Sequence, residues 1–491
     1  MIQEQLPVLL VLAPMLIAAC LVFVPNERVA RAIAVLVTWA CFGMAIQLLV
    51  TARVAPISYE MGGWTPPLGI EYRVDAFNSL LLTLIAGVAS VVLPFGPGSA
   101  KLAIPKRRRP MYYAAFLLTM SGLLGIAITG DLFNVFVFLE ISSLGSYSLI
   151  ALGTSRRALM AAFSYLIMGT IGGTFILLGI GLTYQLTGSL NMADIATILP
   201  DKLDTSAARV ALALLLVGGA IKGAVFPLHQ WLPNAYSYAP SAVSAFLAGT
   251  GTKVSLYVMA RAVFVLYTAG FAYGALHLER VLVPLALAGM FFGSLAAVFQ
   301  TNLKRLLAYS SIAQVGYIVL GMAIANADGL TGSVVHMVNH GVIKSGLFLT
   351  VACITAQAHT STIEDLSGLA QRMPLTAAAW VVGGLAMIGV PATAGFVSKW
   401  YFVVGALEKG WYGVALAIVL SSLLAVVYVW RVVEVFYFRS APEDSTVREA
   451  PVGMLGPTWV LICASVVFGL WTPWTVGTAK LAAAALLGGV P

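Results

Sequence analysis

Apolar residues run almost unbroken for about twenty positions at a time along this chain, separated by short polar segments. The runs fall at about 6–24, 30–50, 76–96, 111–129, 131–152, 159–187, 207–230, 240–265, 281–300, 306–325, 330–356, 375–407, 411–437 and 453–473. Each matches the hydrocarbon core of a bilayer in helical rise. Backbone facing lipid must satisfy its own hydrogen bonds, so the pattern predicts helices rather than open strands. The expected fold is an all-α polytopic membrane protein with about fourteen transmembrane helices. Between the second and third runs, TARVAPISYEMGGWTPPLGIEYRVD (51–75) alternates in polarity around Gly-Gly and Pro-Pro, which predicts a small hairpin.

Two runs carry helix breakers deep inside. The seventh reads GGAIKGAVFPLHQWLP, with Pro227 and Pro233, and the twelfth reads GGLAMIGVPATAGFVSKWY, with Pro391. Proline removes a donor and frees carbonyls, which membrane depth tolerates only where protein or water re-satisfies them. Pro227 follows Lys222 whereas Pro391 precedes Lys399. That mirror arrangement points to inverted repeats of about five helices, each with a broken helix and an ion or substrate site near the midplane. The expected division is N-terminal helices over 1–110, repeats over 111–265 and 281–437, and a last helix and tail over 438–491.

The composition, 60% hydrophobic and 9% charged over 491 residues, agrees with a lipid solvent. The net charge of +8 does not imply nucleic acid, because the basic residues are spread over loops. One alternating set of loops holds Arg28, Arg31, Lys101, the run Lys106, Arg107, Arg108 and Arg109, Arg156, Arg157, Lys304, Arg305, Arg372, Arg439 and Arg448. The opposite set holds Arg53, Arg73, Lys202, Arg209, Arg280 and Lys409. This bias predicts a cell-membrane protein with both termini on the outer face, and gives the basic run a topological or lipid-headgroup role. The N-terminus has no basic residue before its apolar run, so a retained first span is expected. Cys20, Cys41, Cys353 and Cys463 lie inside apolar runs without metal-type spacing and are expected to pack.

Against this background a few buried charges need a reason, since an ionised side chain at the bilayer centre costs about 2.5–3.5 kcal/mol on insertion scales. Glu140 ends GDLFNVFVFLE; Lys222, Lys253 and Lys399 lie within the seventh, eighth and twelfth runs. The eleventh adds His336, His340 and Lys344 in VVHMVNHGVIKSGLF. Steps of four advance only about 40° past a full turn, so these three share one helix face along which a proton can hop. No metal is expected at the histidine pair, because the HExxH glutamate is missing and the next group is a lysine. Burial drives lysines and carboxyls toward neutrality and a nearby opposite charge reverses this, so such groups can switch protonation when a partner moves. Lysines outnumber carboxylates here, which leaves simple structural pairing incomplete. Arg431 and Glu434, three apart, are expected to pair on one helix face, Arg261 to act as an anchor, and His229 to support the break or give protons access.

The segments GDLFNVFVFLE, KGAVFPLHQWLPNAYSYAPSAVSAFLAGTGTKVSLY, NLKRLLAYSSIAQVGYI, HMVNHGVIKSGLF and GVPATAGFVSKWY resemble the antiporter-like subunits shared by respiratory complex I, membrane-bound hydrogenases and Mrp-type multisubunit cation/proton antiporters. By that resemblance Glu140 and Lys222 form the pair of a first half-channel and Lys253 is a bridge. His336, His340 and Lys344 make a central relay, and Lys399 ends a second half-channel. A lysine at 399 and a chain ending soon after its last span look most like the D-type subunit of Mrp antiporters, with hydrogenase-type subunits second. NAYSYAP at 234–240 departs from the Asp-Ala-His often found there. The implied function is proton translocation within a multisubunit Na+/proton antiporter. The alternative is the pumping membrane subunit of a complex I-like NADH:quinone oxidoreductase or hydrogenase. The implied partners are other membrane subunits, protons, Na+ and the lipid bilayer; no cofactor, metal or nucleic acid and no catalytic chemistry of the chain's own is expected.

Overall fold

The computed structural model describes residues 4–153, 155–441 and 447–488, and side chains outside 96–103. Both chain ends, and the Lys101 side chain counted in the topology argument, lie outside the described residues. Helices α1 (Leu6–Leu21) and α2 (Glu27–Ala52) lead into a hairpin of β1 (Ile57–Glu60) and β2 (Glu71–Val74). Then come α3 (Ala76–Ala103), α4 (Arg109–Ile128), α5 (Leu132–Ala151), α6 (Arg156–Thr187), α7 (Met192–Ile198), α8 (Ser206–Gly223), α9 (Trp231–Tyr238) and α10 (Ser241–Arg261). The second half holds α11 (Glu279–Val298), α12 (Leu303–Ile324), α13 (Ala327–Ala358), the single turn α14 (Leu369–Arg372), α15 (Pro374–Ile388), α16 (Ala394–Glu408) and α17 (Tyr412–Phe438). It closes with α18 (Val452–Leu470) and α19 (Thr475–Gly488).

The protein is a multi-pass, almost wholly helical membrane protein. Among the described residues, 11 helices are long and apolar enough to cross a bilayer, and α1, α15 and α19 are shorter apolar helices. The helix count differs from the fourteen expected runs for physical reasons, two of which are the interruptions expected at Pro227 and Pro391. The run at 207–230 stops as helix at Gly223, and the run at 375–407 divides into α15 and α16. The run at 240–265 becomes α10, long enough but rich in Ser, Gly and Thr, followed by a π-helical turn at Ala262–Leu266.

Helix starts are set by short polar side chains that accept from otherwise orphaned first-turn N–H groups. Asn26, Asp131, Ser155, Thr205, Asn302 and Asn326 cap α2, α5, α6, α8, α12 and α13 in this way. The expected hairpin is present, with Ile57 opposite Val74 and Glu60 opposite Glu71. It docks through its backbone, Gly130 N–H donating to Glu71 O at 2.8 Å, while the buried Glu71 carboxylate accepts from Ser58 Oγ at 2.6 Å and Asn191 Nδ2 at 3.1 Å.

The centre of the molecule is α13, enclosed by α3, α10, α12, α15, α16, α18 and α19. Close approach requires small residues: a Cβ at Gly341 would lie 2.7 Å from Gly249 O, and one at Gly249 would lie 3.2 Å from Gly341 O. Cys353 is buried in this packing and Cys41 between α2 and α1, whereas Cys20 and Cys463, expected to pack, are exposed on the outer faces of their helices. Helix α19, where the apolar pattern predicts only a tail, packs its Ala479, Ala482, Ala483 and Leu486 face on α13 and α3.

One expectation about the arginines is corrected and another gains its partner. Arg431 does not pair with Glu434: its Nη1 donates to Val298 O at 2.8 Å and Gln300 O at 3.0 Å, and Nη2 lies 3.8 Å from Glu364. Glu434 instead pairs with Arg439 at 3.2 Å. The two free carbonyls at the end of α11 outcompete an exposed carboxylate on the same helix. Arg261 is buried in an ion pair with Asp75, its Nε 3.0 Å from Tyr257 Oη and its guanidinium over Phe77, so it ties α10 to the start of α3. Burial alone would raise the Asp75 carboxyl. The Arg261 charge and hydrogen bond, with the N–H groups of Asn78 and Phe77, outweigh it and hold the carboxyl below its ordinary range.

A carboxyl depressed in the folded state stabilises above its unfolded pKa, and that stability is lost as pH falls through the folded value. Asp75→Asn leaves Arg261 buried without its counter-charge and is expected to cost about 3–5 kcal/mol at neutral pH. The check is thermal unfolding of purified protein in detergent. The deficit relative to wild type should shrink in acid; an unchanged melting temperature would contradict the pairing.

Candidate functional site

Residue Glu140 lies nine positions beyond the Asp131 cap of α5, facing α6 at Gly173, where a Cβ would stand 2.5 Å from Glu140 Oε1. Lys222 reaches the same carboxylate from the last turn of α8: Nζ is 3.7 Å from Glu140 Oε1 and donates to Ser143 Oγ at 2.7 Å. The lysine side chain is only 4% exposed, whereas that of Glu140 is 32% exposed. Helix α8 stops here because Ala224 turns left-handed (φ 54°) and Pro227 has no N–H to continue the ladder. The freed Ile221 carbonyl accepts from Trp231 Nε1 at 2.8 Å. Beside the interruption His229 packs on the Phe226 and Phe292 rings.

The remaining lysines rest on other acceptors. Lys253, fully buried in α10, donates to Ala248 O of its own helix. Lys344 of α13 donates to Leu307 O at 2.9 Å and to Ser310 Oγ, both on α12, and lies 3.3 Å from Met387 Sδ. Lys399 of α16 donates to Ile388 O at 2.7 Å and Met387 O at 3.3 Å, the last carbonyls of α15. Helix α15 ends at Gly389, where the left-handed φ of 88° favours glycine and a Cβ would lie 2.9 Å from Lys399 Cδ. The ammonium therefore caps the negative end of a half-helix, and it also lies 4.9 Å from the Tyr317 ring.

Between these lysines lie the histidines of α13. His336 is held from both sides, Nδ1 2.7 Å from Ser398 Oγ and Nε2 3.0 Å from Gln314 Oε1, and its ring stacks on His340 at 5.6 Å. Both ring nitrogens of His340 lack a hydrogen-bond partner among the described residues. His340 lies in the field of Lys253, Lys344 and Lys399, and His336 in that of Lys253 and Lys399. The structure thus brings Lys253, His336, His340, Lys344 and Lys399 into one electrostatic neighbourhood and sets Glu140 and Lys222 together as a distinct ion pair.

This arrangement has a chemical consequence. A backbone carbonyl accepts a hydrogen bond from an ammonium or from a neutral amine, so a lysine resting on carbonyls can lose its proton without stranding a buried carboxylate. Lys222 differs, because its charge is coupled to that of Glu140. Sequence reasoning missed the positioning groups Ser143, Ser310, Gln314, Tyr317 and Ser398. A signal existed for three of them, since Ser310, Gln314 and Tyr317 recur at helical spacing along NLKRLLAYSSIAQVGYI. Lys304, counted as a loop charge, is half-buried and reaches Ala239 O at 3.4 Å.

Fold and site together define a membrane subunit of an Mrp antiporter or complex I-like assembly, which works beside other membrane subunits. The chain belongs to the NADH:quinone oxidoreductase/Mrp antiporter transmembrane family, whose model matches residues 129–425. It is 43% identical to NADH-quinone oxidoreductase subunit N of Desulforudis audaxviator over 95% of this chain and 96% of that one. It is 29% identical to the Na(+)/H(+) antiporter D-type subunit of Bacillus subtilis over 98% of this chain and 97% of that one. Among solved structures, a chain of the Mrp complex from Dietzia sp. superposes with a TM-score of 0.91 at 26% identity, covering 99% of this chain and 98% of that one.

The α10–α13 contact that sets Lys253 beside the histidines admits no side chain. A Cβ at Gly249 would overlap Ser345 Oγ, so Gly249→Ala forces the helices apart at an expected cost of about 1–3 kcal/mol. Thermal unfolding in detergent reads this as a lower midpoint; wild-type stability would show that the helices have more room.

Proposed function

We propose that this chain translocates protons through buried groups, as the proton-conducting subunit of a multisubunit cation/proton antiporter that exchanges Na+. Glu140 and Lys222 form a switchable pair, Lys253 is the bridge, His336, His340 and Lys344 are the relay, and Lys399 is the terminal group beside the break in α15. The observation that carries this reading is the placement of the lysines: one faces a carboxylate at 3.7 Å and the others rest on neutral acceptors. In this reading the interruptions after α8 and α15 belong to two inverted repeats, over 111–265 and 281–437, with 1–110 and 438–491 flanking them. Both termini lie on the outer face by the basic-loop bias.

A second reading is favoured by the 43% identity to an NADH-quinone oxidoreductase subunit N. The same path would then be driven by redox energy supplied by other chains of the complex. The co-purifying subunits separate the two readings. Partners with iron–sulphur or flavin motifs support the oxidoreductase, and small hydrophobic partners alone support the antiporter.

The path itself is tested in everted vesicles carrying the whole complex. Glu140→Ala and Lys344→Ala should each lower ΔpH-driven transport by about a hundredfold or more, the scale of a lost proton-transfer group, while the complex still assembles. Unchanged transport in an assembled variant would remove that residue from the path.

A further inference from the structure

Helices α1, α4 and α5 line an open groove of about 490 Å³ at the basic end of the bundle. Ala19 and Val22 line it from α1 and its end, Met111, Ala115 and Leu118 from α4, and Leu152 from the end of α5. The polar side chain in its lining, Ser148, turns its hydroxyl to Leu144 O at 2.8 Å, so the groove offers hydrocarbon contact rather than hydrogen bonds. Val22 and Met111 are each 55% exposed at its mouth, on the side where α1 ends and α4 begins.

Immediately before α4, Lys106, Arg107 and Arg108 form one 3-10 turn and all are exposed. The turn is pinned by the next residue: Arg109 Nε donates to Ile104 O at 3.1 Å and Nη1 to Glu27 at 3.2 Å. The Glu27 carboxylate is thereby occupied by Arg109, leaving the three exposed cations about one helical turn from Met111. Arg156 and Arg157, also exposed, follow Leu152 at the start of α6. An apolar slot with a cluster of exposed cations a few residues from its mouth complements an acyl chain joined to a phosphate.

We propose that this groove is a binding site for one anionic phospholipid of the leaflet on the basic side, its acyl chain between α1 and α4 and its phosphate on Lys106, Arg107 and Arg108. Each basic residue near a headgroup adds roughly fivefold in affinity, so the turn selects against zwitterionic lipid. The groove distinguishes this from diffuse attraction to a charged surface, which needs no slot. Charge complementarity favours a lipid over a partner helix as occupant.

Native mass spectrometry of the intact complex, exchanged into mixed phosphatidylglycerol and phosphatidylcholine, reads the site. Wild type should retain one phosphatidylglycerol per copy of this chain. The triple variant Lys106→Gln, Arg107→Gln, Arg108→Gln and the groove-filling pair Ala19→Leu, Ala115→Leu should each lose it on the order of tenfold or more. Equal retention of phosphatidylcholine, or full retention in the groove-filling pair, would overturn the proposal. If the leucine pair does not assemble, a photoactivatable phosphatidylglycerol with wild type decides. Labels on Met111, Ala115 or Leu118 support the site; labels confined to other faces, or a polypeptide cross-linked into the groove, refute it.

Discussion

An ammonium group enclosed by apolar helices must be given acceptors, and the architecture follows from how that requirement is met. Water-like acceptors are scarce inside a helical bundle because helices consume their own carbonyls. Interruption of a helix releases them. Helix α15 stops at Gly389 and its last carbonyls, Met387 O and Ile388 O, are taken by Lys399. At Lys399 the break thus supplies the acceptors directly, whereas Lys253 and Lys344 share carbonyls of the unbroken helices α10 and α12, with Ser310 Oγ as a further acceptor for Lys344. The burial of α13 follows, since His336 and Lys344 find their partners on α12, α15 and α16 only when those helices surround it.

Two kinds of lysine result. Lys222 belongs to an ion pair, so its charge responds to Glu140 and to whatever covers the partly exposed flank of α5 and α6. Among the described residues Lys253, Lys344 and Lys399 face no carboxylate; all three act on His340, and Lys253 acts on Lys344 as well. Mutual repulsion among groups with neutral acceptors favours sharing fewer protons than sites. That is the electrostatic condition under which the proposed relay moves a proton when the Glu140–Lys222 pair opens or closes.

Much of this was legible in the sequence, unevenly. Helix existence followed from run length, and the two interruptions from Pro227 and Pro391, because lipid imposes strict rules on backbone. The candidate residues stood out because charge is rare in apolar runs. What sequence could not supply was partner choice. Arg431 has a carboxylate three residues away yet takes carbonyls from another helix. Arg261 and Asp75, 186 positions apart, form a buried pair that no local spacing announces. Helix α19 was missed because its alanine-rich face carries little hydrophobic signal until α3 and α13 are placed beside it. Short hydroxyl and amide side chains such as Ser143 and Gln314 look ordinary in sequence and acquire meaning only by facing Lys222 and His336.

The central claim is that these lysines carry protons rather than hold fixed charges, and Lys222→Arg tests it most directly. Arginine preserves the positive charge opposite Glu140 but its guanidinium does not release a proton under any physiological condition. ΔpH-driven proton flux should be measured in vesicles containing the assembled complex with this single change. The account predicts assembly at wild-type levels and loss of flux. Flux retained with arginine at this position would show that the charge, not its proton, is what the site requires.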